Sequence, residues 1–539
     1  MDYGSIILSA ASGLGLFLYG MNLMGAGLQK AAGEKLKAIV GLLTKNKYIA
    51  VVVGIVVTAV IQSSSATTVM VIGFVNAGIM SLNQAIGVIM GANVGTTVTA
   101  QLVSFNLEAI APISVALGMI AYIVNKGSKT KDYAEILIGF GILFVGMVYM
   151  KDAVKPLREI KAFQDMLISF GSNPILGIFV GFLLTLLLQS SSASIGILVA
   201  LAVEGALPLA SALPILYGDN IGTCTTALLS SIGASKNAQR AAVMHLTFNV
   251  IGTLVFVLFL NKPIIYVVTA LNPTEVARQI ANAHTLFNIT NVFIQLPFSA
   301  FIVKFAERVI PQKEEVKKDQ TITKLDLRML STPSIALENA YRECLNMGNV
   351  ALTSLQKSVS GFLEKNSADL AETFRLEKDI NQMEREIIEY LVAVSNTDIS
   401  LDDRLIVDGL FNTINDIERI GDHAENIAEL GESYIEQNLN FSAESQVELA
   451  VMTEKVFDSV ISAMDAMRTG DIDIANRVLE MENQVDDLEK ANRAAHIYRL
   501  NHNMCRTESG VLFLDLISNL ERISDHAANI AESVLSASE

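Results

Sequence analysis

The run VGIVVTAVIQSSSA at residues 53–66 returns as VGFLLTLLLQSSSA at 180–193, with eight of fourteen positions identical at an offset of 127. The same offset carries GANVGTTVTA, from Gly91, onto GDNIGTCTTA, from Gly218, with six identities in ten. Two separate polar clusters that keep one ungapped offset imply that everything between them corresponds, so this part of the chain is a duplication. Each QSSS lies at the centre of an apolar stretch, 48–77 or 174–203, too long for a single bilayer crossing. Such a stretch is expected to fold as a hairpin of two half-helices that meet at the polar run. Duplicated membrane domains with interrupted hydrophobic segments are the pattern of secondary transporters, which bind substrate near the midplane between repeats.

Further apolar runs at 5–28, 83–105, 110–124, 134–150, 212–234, 241–260 and 281–303 make the first 308 residues a polytopic membrane domain. Repeat one is expected over about 1–125, repeat two over about 134–260, and a terminal span at about 281–303. The charged stretch PQKEEVKKDQ then marks a linker at 309–330, and beyond it the pattern becomes amphipathic helix over 331–539. Charge divides at the same place. The first 308 residues hold 18 Lys and Arg against 12 Asp and Glu, a net +6, and the remainder holds 21 against 43, a net −22. So acidic a second half excludes sequence-general nucleic-acid binding, which needs clustered positive charge to displace counterions. Three scattered cysteines, Cys224, Cys344 and Cys505, have no CxxC spacing and suggest neither a disulfide framework nor a zinc site.

The polar clusters fit a hard cation and an anion together. A half-helix that starts inside the membrane aims unpaired N–H groups at the cavity, which suits an anion. Serine hydroxyls donate to an anion or offer lone pairs to a cation, and the carbonyl oxygens of Gln62 and Gln189 are hard ligands of the kind that sodium prefers. Asn93, Asn220, Thr96 and Thr223 add further oxygens from the GxNxGT runs. With no acidic cluster in this half, the cations are expected to be held by neutral dipoles and by the bound anion, so that the two bind cooperatively. A polar run of small residues also serves as helix–helix glue. Two copies, each in an overlong hairpin and each followed 29 residues later by GxNxGT, favour a site. No GxSxG elbow, and no local His or Asp to activate a serine, accompanies either run, so catalysis is not expected. Among other polar residues in the spans, His245 and His284 each begin HxxFN, and Asp219, Glu204 and Arg240 are ionisable groups in or near apolar segments.

At these residues the chain resembles the type II sodium-phosphate cotransporter family, whose hallmark is a QSSS sequence in each of two inverted repeats. The resemblance covers roughly residues 1–305. It implies an all-α polytopic membrane transporter that imports inorganic phosphate with sodium as coupling ion across the cytoplasmic membrane. It places Gln62, Ser63, Ser64, Ser65 and Thr67 with Asn93 and Thr96 at the phosphate and sodium sites, and on the second repeat Gln189, Ser190, Ser191, Ser192 and Ser194 with Asn220 and Thr223. Cys224 departs from the symmetry by standing where repeat one has Thr97. Basic residues at 30–47 and 151–161 follow the first span of each repeat and would both be cytoplasmic by charge, whereas inversion puts them on opposite sides; the inversion is preferred. Phosphate export, and a phosphate sensor that does not translocate, are the alternatives.

The second half is a duplication of its own. ERIGDHAENIAE from Glu418 and ERISDHAANIAE from Glu521 each run beside an apolar stripe of helical period. ExxxD places two carboxylates one turn apart on one face, a spacing that chelates a cation or simply faces solvent. Glu482 and Asp486 repeat it upstream, whereas the first-repeat equivalent reads Glu377 and Asn381. This half resembles PhoU, the regulator of phosphate uptake. The resemblance implies a soluble, cytosolic pair of three-helix bundles, with a divalent or iron-type metal on Glu418, Asp422, Glu482, Asp486, Glu521 and Asp525. The partners expected are phosphate, sodium, the lipid bilayer and further copies of the chain in a homo-oligomer.

Overall fold

The computed structural model describes residues 3–41, 46–105, 107–124, 128–311, 325–502 and 504–538. The chain forms two compact units, Met1–Val316 with Asp326–Ile335, and Lys317–Leu325 with Ala336–Glu539. Every regular element among the described residues is helical. Residues 312–324 of the expected linker lie outside the described residues, and from Asp326 the linker's last residues belong to the first unit.

In the first unit the duplication is visible helix by helix. Repeat one comprises α1 (Tyr3–Gly41), α2 (Lys47–Ile61), α3 (Ser64–Asn76), α4 (Leu82–Val103) and α5 (Ala111–Val124). Repeat two comprises α6 (Ser128–Val154), an amphipathic α7 (Lys161–Ser172), α8 (Pro174–Leu188), α9 (Ser191–Val203), α10 (Leu209–Gly222), α11 (Cys224–Ser230) and α12 (Lys236–Val255). Adding 127 to the bounds of α2 and α3 reproduces those of α8 and α9, and adding it to α4 spans α10 and α11 together. The second copy is therefore α4 with a break at Thr223, and it also carries Pro214 inside α10. A π-helical turn, Phe256–Leu260, leads into α13 (Asn261–Leu271), and α14 (Val276–Gln295) and α15 (Ser299–Val309) complete the unit. The expected terminal span at 281–303 is thus two helices, bent by 83° at a short break.

Four described helical segments are long and apolar enough to cross a membrane, six if each bent pair counts as one span, and the half-helices of the hairpins are shorter. The surface agrees: large apolar side chains such as Ile123, Ile175, Leu187 and Phe293 are exposed, an arrangement suited to lipid and not to water. Glycine lets the two repeats meet. A Cβ on Gly20 of α1 would lie 2.6 Å from the carbonyl oxygen of Gly139 on α6, and one on Gly139 would lie 2.7 Å from that of Gly20. Backbones approach this closely only where both residues lack a side chain.

The second unit contains most of α16 (Pro333–Leu363), followed by α17 (Ser367–Ser395) and α18 (Leu401–Glu436), then α19 (Ala443–Thr469), α20 (Ile472–Asn501) and α21 (Thr507–Ser538). These are the two expected three-helix bundles, and α18 packs on α21 where they meet. The stripe Ile414, Ile417, Ile420, Ala424 and Ile427 is buried, as is its counterpart Phe513, Leu516, Leu520, Ile523, Ala527 and Ile530.

Candidate functional site

Both hairpins break at glutamine. Gln62 ends α2 at φ 60°, and Gln189 ends α8 at φ 52°, the left-handed region that most side chains avoid. Ser63 and Ser190 are extended and cap the next half-helices, each accepting a hydrogen bond on Oγ from Ala66 N (3.1 Å) or Ala193 N (3.2 Å). The amides at the start of α3 and α9 have no intrahelical acceptor, as at any helix N-terminus. The glutamine side chains are held alike. Gln62 Nε2 donates to Ala59 O and Gln189 Nε2 to Leu186 O, while Gln62 Oε1 accepts from Thr99 Oγ1 (2.8 Å) and Gln189 Oε1 from Thr226 Oγ1 (2.9 Å).

The two QSSS runs come together. A cavity of about 440 Å³ is lined by Gln62, Ser63, Ser64 and Ser65 from one repeat and by Gln189, Ser190, Ser191 and Ser192 from the other. Asn22 and Gln29 of α1 and Ser331 also line it, none of which the motifs suggested. Gln29 Nε2 is buried there without a partner.

The remaining predicted residues stand behind this cavity. Asn93 and Asn220 donate to carbonyls of their own helices, Ile89 O and Leu216 O, both at 2.9 Å. Thr96 and Thr223 likewise turn back to Ala92 O and Asn220 O. Thr67 Oγ1 accepts from Thr58 Oγ1 at 3.0 Å. The matching place in repeat two differs: Asp219 stands where repeat one has Ala92, and its Oδ1 accepts from Ser194 Oγ (2.7 Å) and Thr185 Oγ1 (3.0 Å). Its Oδ2 is buried with no partner. The second hairpin therefore encloses a carboxyl group at a place where the first has an alanine. Cys224 is buried and accepts a hydrogen bond from Asn249 Nδ2 at 3.3 Å.

Thr99 and Thr226 were missed although both lie in the runs that define the duplication, and their identity at the 127 offset was the available signal. His245 and His284 are buried on α12 and α14, and neither lines the cavity. Arg240 is also buried and donates to Ile310 O and Asn237 Oδ1.

In the second unit the six predicted metal ligands are all half-buried. Burial first, then the Asp525 and Asp486 charges, raises the pKa of Glu482; burial, then Asp525, raises that of Glu521; burial, then Asp422, raises that of Glu418. Among the described residues, no group of three or more His, Cys, Asp or Glu side chains is placed to hold a metal ion. Asp422 is instead paired with Arg419 at 3.1 Å, and Asp486 with Lys490 at 2.8 Å. The two motif histidines bridge the bundles reciprocally. His423 Nδ1 meets Asn519 Oδ1 and His526 Nδ1 meets Asp416 Oδ1, both at 2.9 Å, and their rings lie 5.7 Å apart.

The model of the Na+/Pi-cotransporter family matches residues 16–152 and 155–272. YqeW of Bacillus subtilis, an uncharacterized protein, is 31% identical over 308 residues, 57% of this chain and 99% of that one. The chain belongs to the Na+/Pi-cotransporter family. It is a multi-pass membrane protein of phosphate transport, and the PhoU domain model matches the second unit over 344–431 and 449–534, one match in each bundle. The "Putative inorganic phosphate export protein YjbB" of Salmonella typhimurium is 25% identical over 531 residues, covering 98% of this family member and 97% of that protein. A PhoU homolog of Pseudomonas aeruginosa, named as a phosphate-specific transport system accessory protein, is 30% identical over 203 residues, 37% of this chain and 82% of its own.

Proposed function

We propose that the chain is a sodium-coupled phosphate symporter that imports phosphate across the cytoplasmic membrane, with its C-terminal unit cytosolic and regulatory. The observation that carries this reading is the shared cavity, where two half-helix N-termini, the six serines of the QSSS runs and two glutamine carbonyls meet. Amides and hydroxyls donate to a phosphate dianion in the cavity. Sodium takes the glutamine oxygens, and the Asp219 carboxyl stands behind the second hairpin, held by Ser194 and Thr185. Phosphate and sodium then bind together because each offsets the other's charge. Thr67, Ser194, Asn93, Thr96, Asn220 and Thr223 hold these ligands in place from behind the cavity.

In proteoliposomes, an inward sodium gradient should drive radiolabelled phosphate inward, and replacing sodium by choline should abolish the flux. Export is the second reading, supported by the name of the Salmonella relative. Phosphate-loaded vesicles distinguish the two, because net efflux against a sodium gradient directed inward would favour export. Phosphate binding with no flux in either direction would leave a sensor.

A further inference from the structure

We propose that the segment Asp326–Thr332 is a plug of the cavity, held on repeat one by a latch, and that its release opens the cavity to phosphate. The inference rests on reading that cavity as the transport site. The segment belongs to the membrane unit and contains a 3-10 turn, Leu327–Ser331, packed on α3. Met329 is fully buried, and a Cβ on Gly73 of α3 would lie 3.2 Å from its Cγ. Asn76, at the end of the same half-helix, is the latch. Its Nδ2 donates to Asp326 Oδ2 (2.8 Å), and its Oδ1 accepts from Ser235 N (2.7 Å), at the start of α12. Asp326 also caps the turn, accepting from Arg328 N at 2.9 Å. Two residues beyond Met329, Ser331 reaches the wall of the cavity beside both QSSS runs.

The duplication supplies an internal control. At the 127 offset, Gly73 corresponds to Ala200 and Asn76 to Val203, so repeat two has neither the gap that admits Met329 nor the amide that holds Asp326. One copy thus ends in an amide with two partners and the other in an exposed valine. Covalent continuity gives the plug a handle, because the helix that starts at Pro333 runs on into the acidic second unit. A change there that strains this helix acts directly on the latch.

The test uses the full-length chain with Gly73→Cys and Met329→Cys in a Cys505→Ser background; the other two cysteines are buried. A Cβ on Gly73 lies 3.2 Å from Met329 Cγ, where a cysteine sulfur at 329 would sit, which is within reach of a disulfide. With the bridge verified by mass, oxidation should reduce sodium-dependent phosphate flux to that of protein-free vesicles, and reductant should restore it, while each single cysteine transports in both conditions. A second readout needs no transport. In the same background Asn22→Cys, on the cavity wall, should react with a charged thiol reagent more slowly when the bridge is closed. Asn76→Val should release the plug and speed both flux and labelling. Equal flux or equal labelling with the bridge open and closed would overturn the plug. If no variant carries sodium-dependent flux, the transport reading fails, and the labelling rates alone decide the plug.

Discussion

Two hydrogen bonds in each repeat fix where the glutamine carbonyl points, one from the amide nitrogen to the preceding turn and one onto the oxygen itself. Thr99 and Thr226 donate to Gln62 Oε1 and Gln189 Oε1, leaving one lone pair of each oxygen for a cation. Removing the hydroxyl leaves the amide held by its Nε2 bond alone, which loosens the carbonyl without emptying the cavity. Thr99→Val and Thr226→Val are each expected to weaken sodium activation by about 1 kcal/mol, roughly fivefold in the sodium concentration for half-maximal uptake. Gln62→Ala and Gln189→Ala remove the ligand itself and should lose phosphate and sodium affinity together. Sodium titration of phosphate uptake checks both, and wild-type titrations in all four would remove the glutamines from the site.

Helix packing determines which parts of the site the sequence revealed. The hairpins, their breaks at QSSS and the duplication were legible because one offset governs bounds as well as identities, Lys47–Ile61 onto Pro174–Leu188. Asp219 stood in GDNIGT as a departure from GANVGT, but its weight depends on Thr185 and Ser194 reaching it from two other helices, a contact that no spacing encodes. The bend between α14 and α15 falls at Pro297, a helix-breaking signal overlooked because apolar residues flank it on both sides. In the acidic helices the ExxxD motif was legible, and Arg419 and Lys490 pair with two of its carboxylates. Raised carboxyl pKa values mean that Glu418, Glu482, Glu521 and Asp525 favour the fold below their unfolded pKa, near 4, and lose that contribution as pH rises through the folded values. Glu521→Gln should therefore slow amide exchange in α20 and α21 at pH 8, by up to about fivefold once its partial exposure is discounted, with the gain vanishing toward pH 4. His423, lowered by burial, has the opposite sign and loses its contribution as pH falls, but it cancels between variant and parent. Faster exchange in the variant at pH 8 would mean that Glu521 is stabilised by a cation and not repelled by its neighbours.

For the molecule as a whole, where the chain is cut separates two roles of the connector. Truncation after Arg308 removes the plug and the acidic helices together, and truncation after Ile335 removes only the acidic helices beyond it. The longer form should transport slowly and the shorter one faster, each measured as sodium-dependent phosphate uptake by monodisperse protein. Equal rates would uncouple the connector from flux, and complete loss in both would make the second unit part of the transport machine. Stability and activity also pull apart across the whole protein. Gln62 and Gln189 hold left-handed backbone that costs a residue with a side chain about 1 kcal/mol and glycine almost nothing. Directed evolution for heat tolerance alone, with no demand for phosphate, should drift toward glycine at both hairpin breaks. Variants selected that way would be hardier membrane proteins that had traded away their ligand, so the two glutamines record what the protein is kept for.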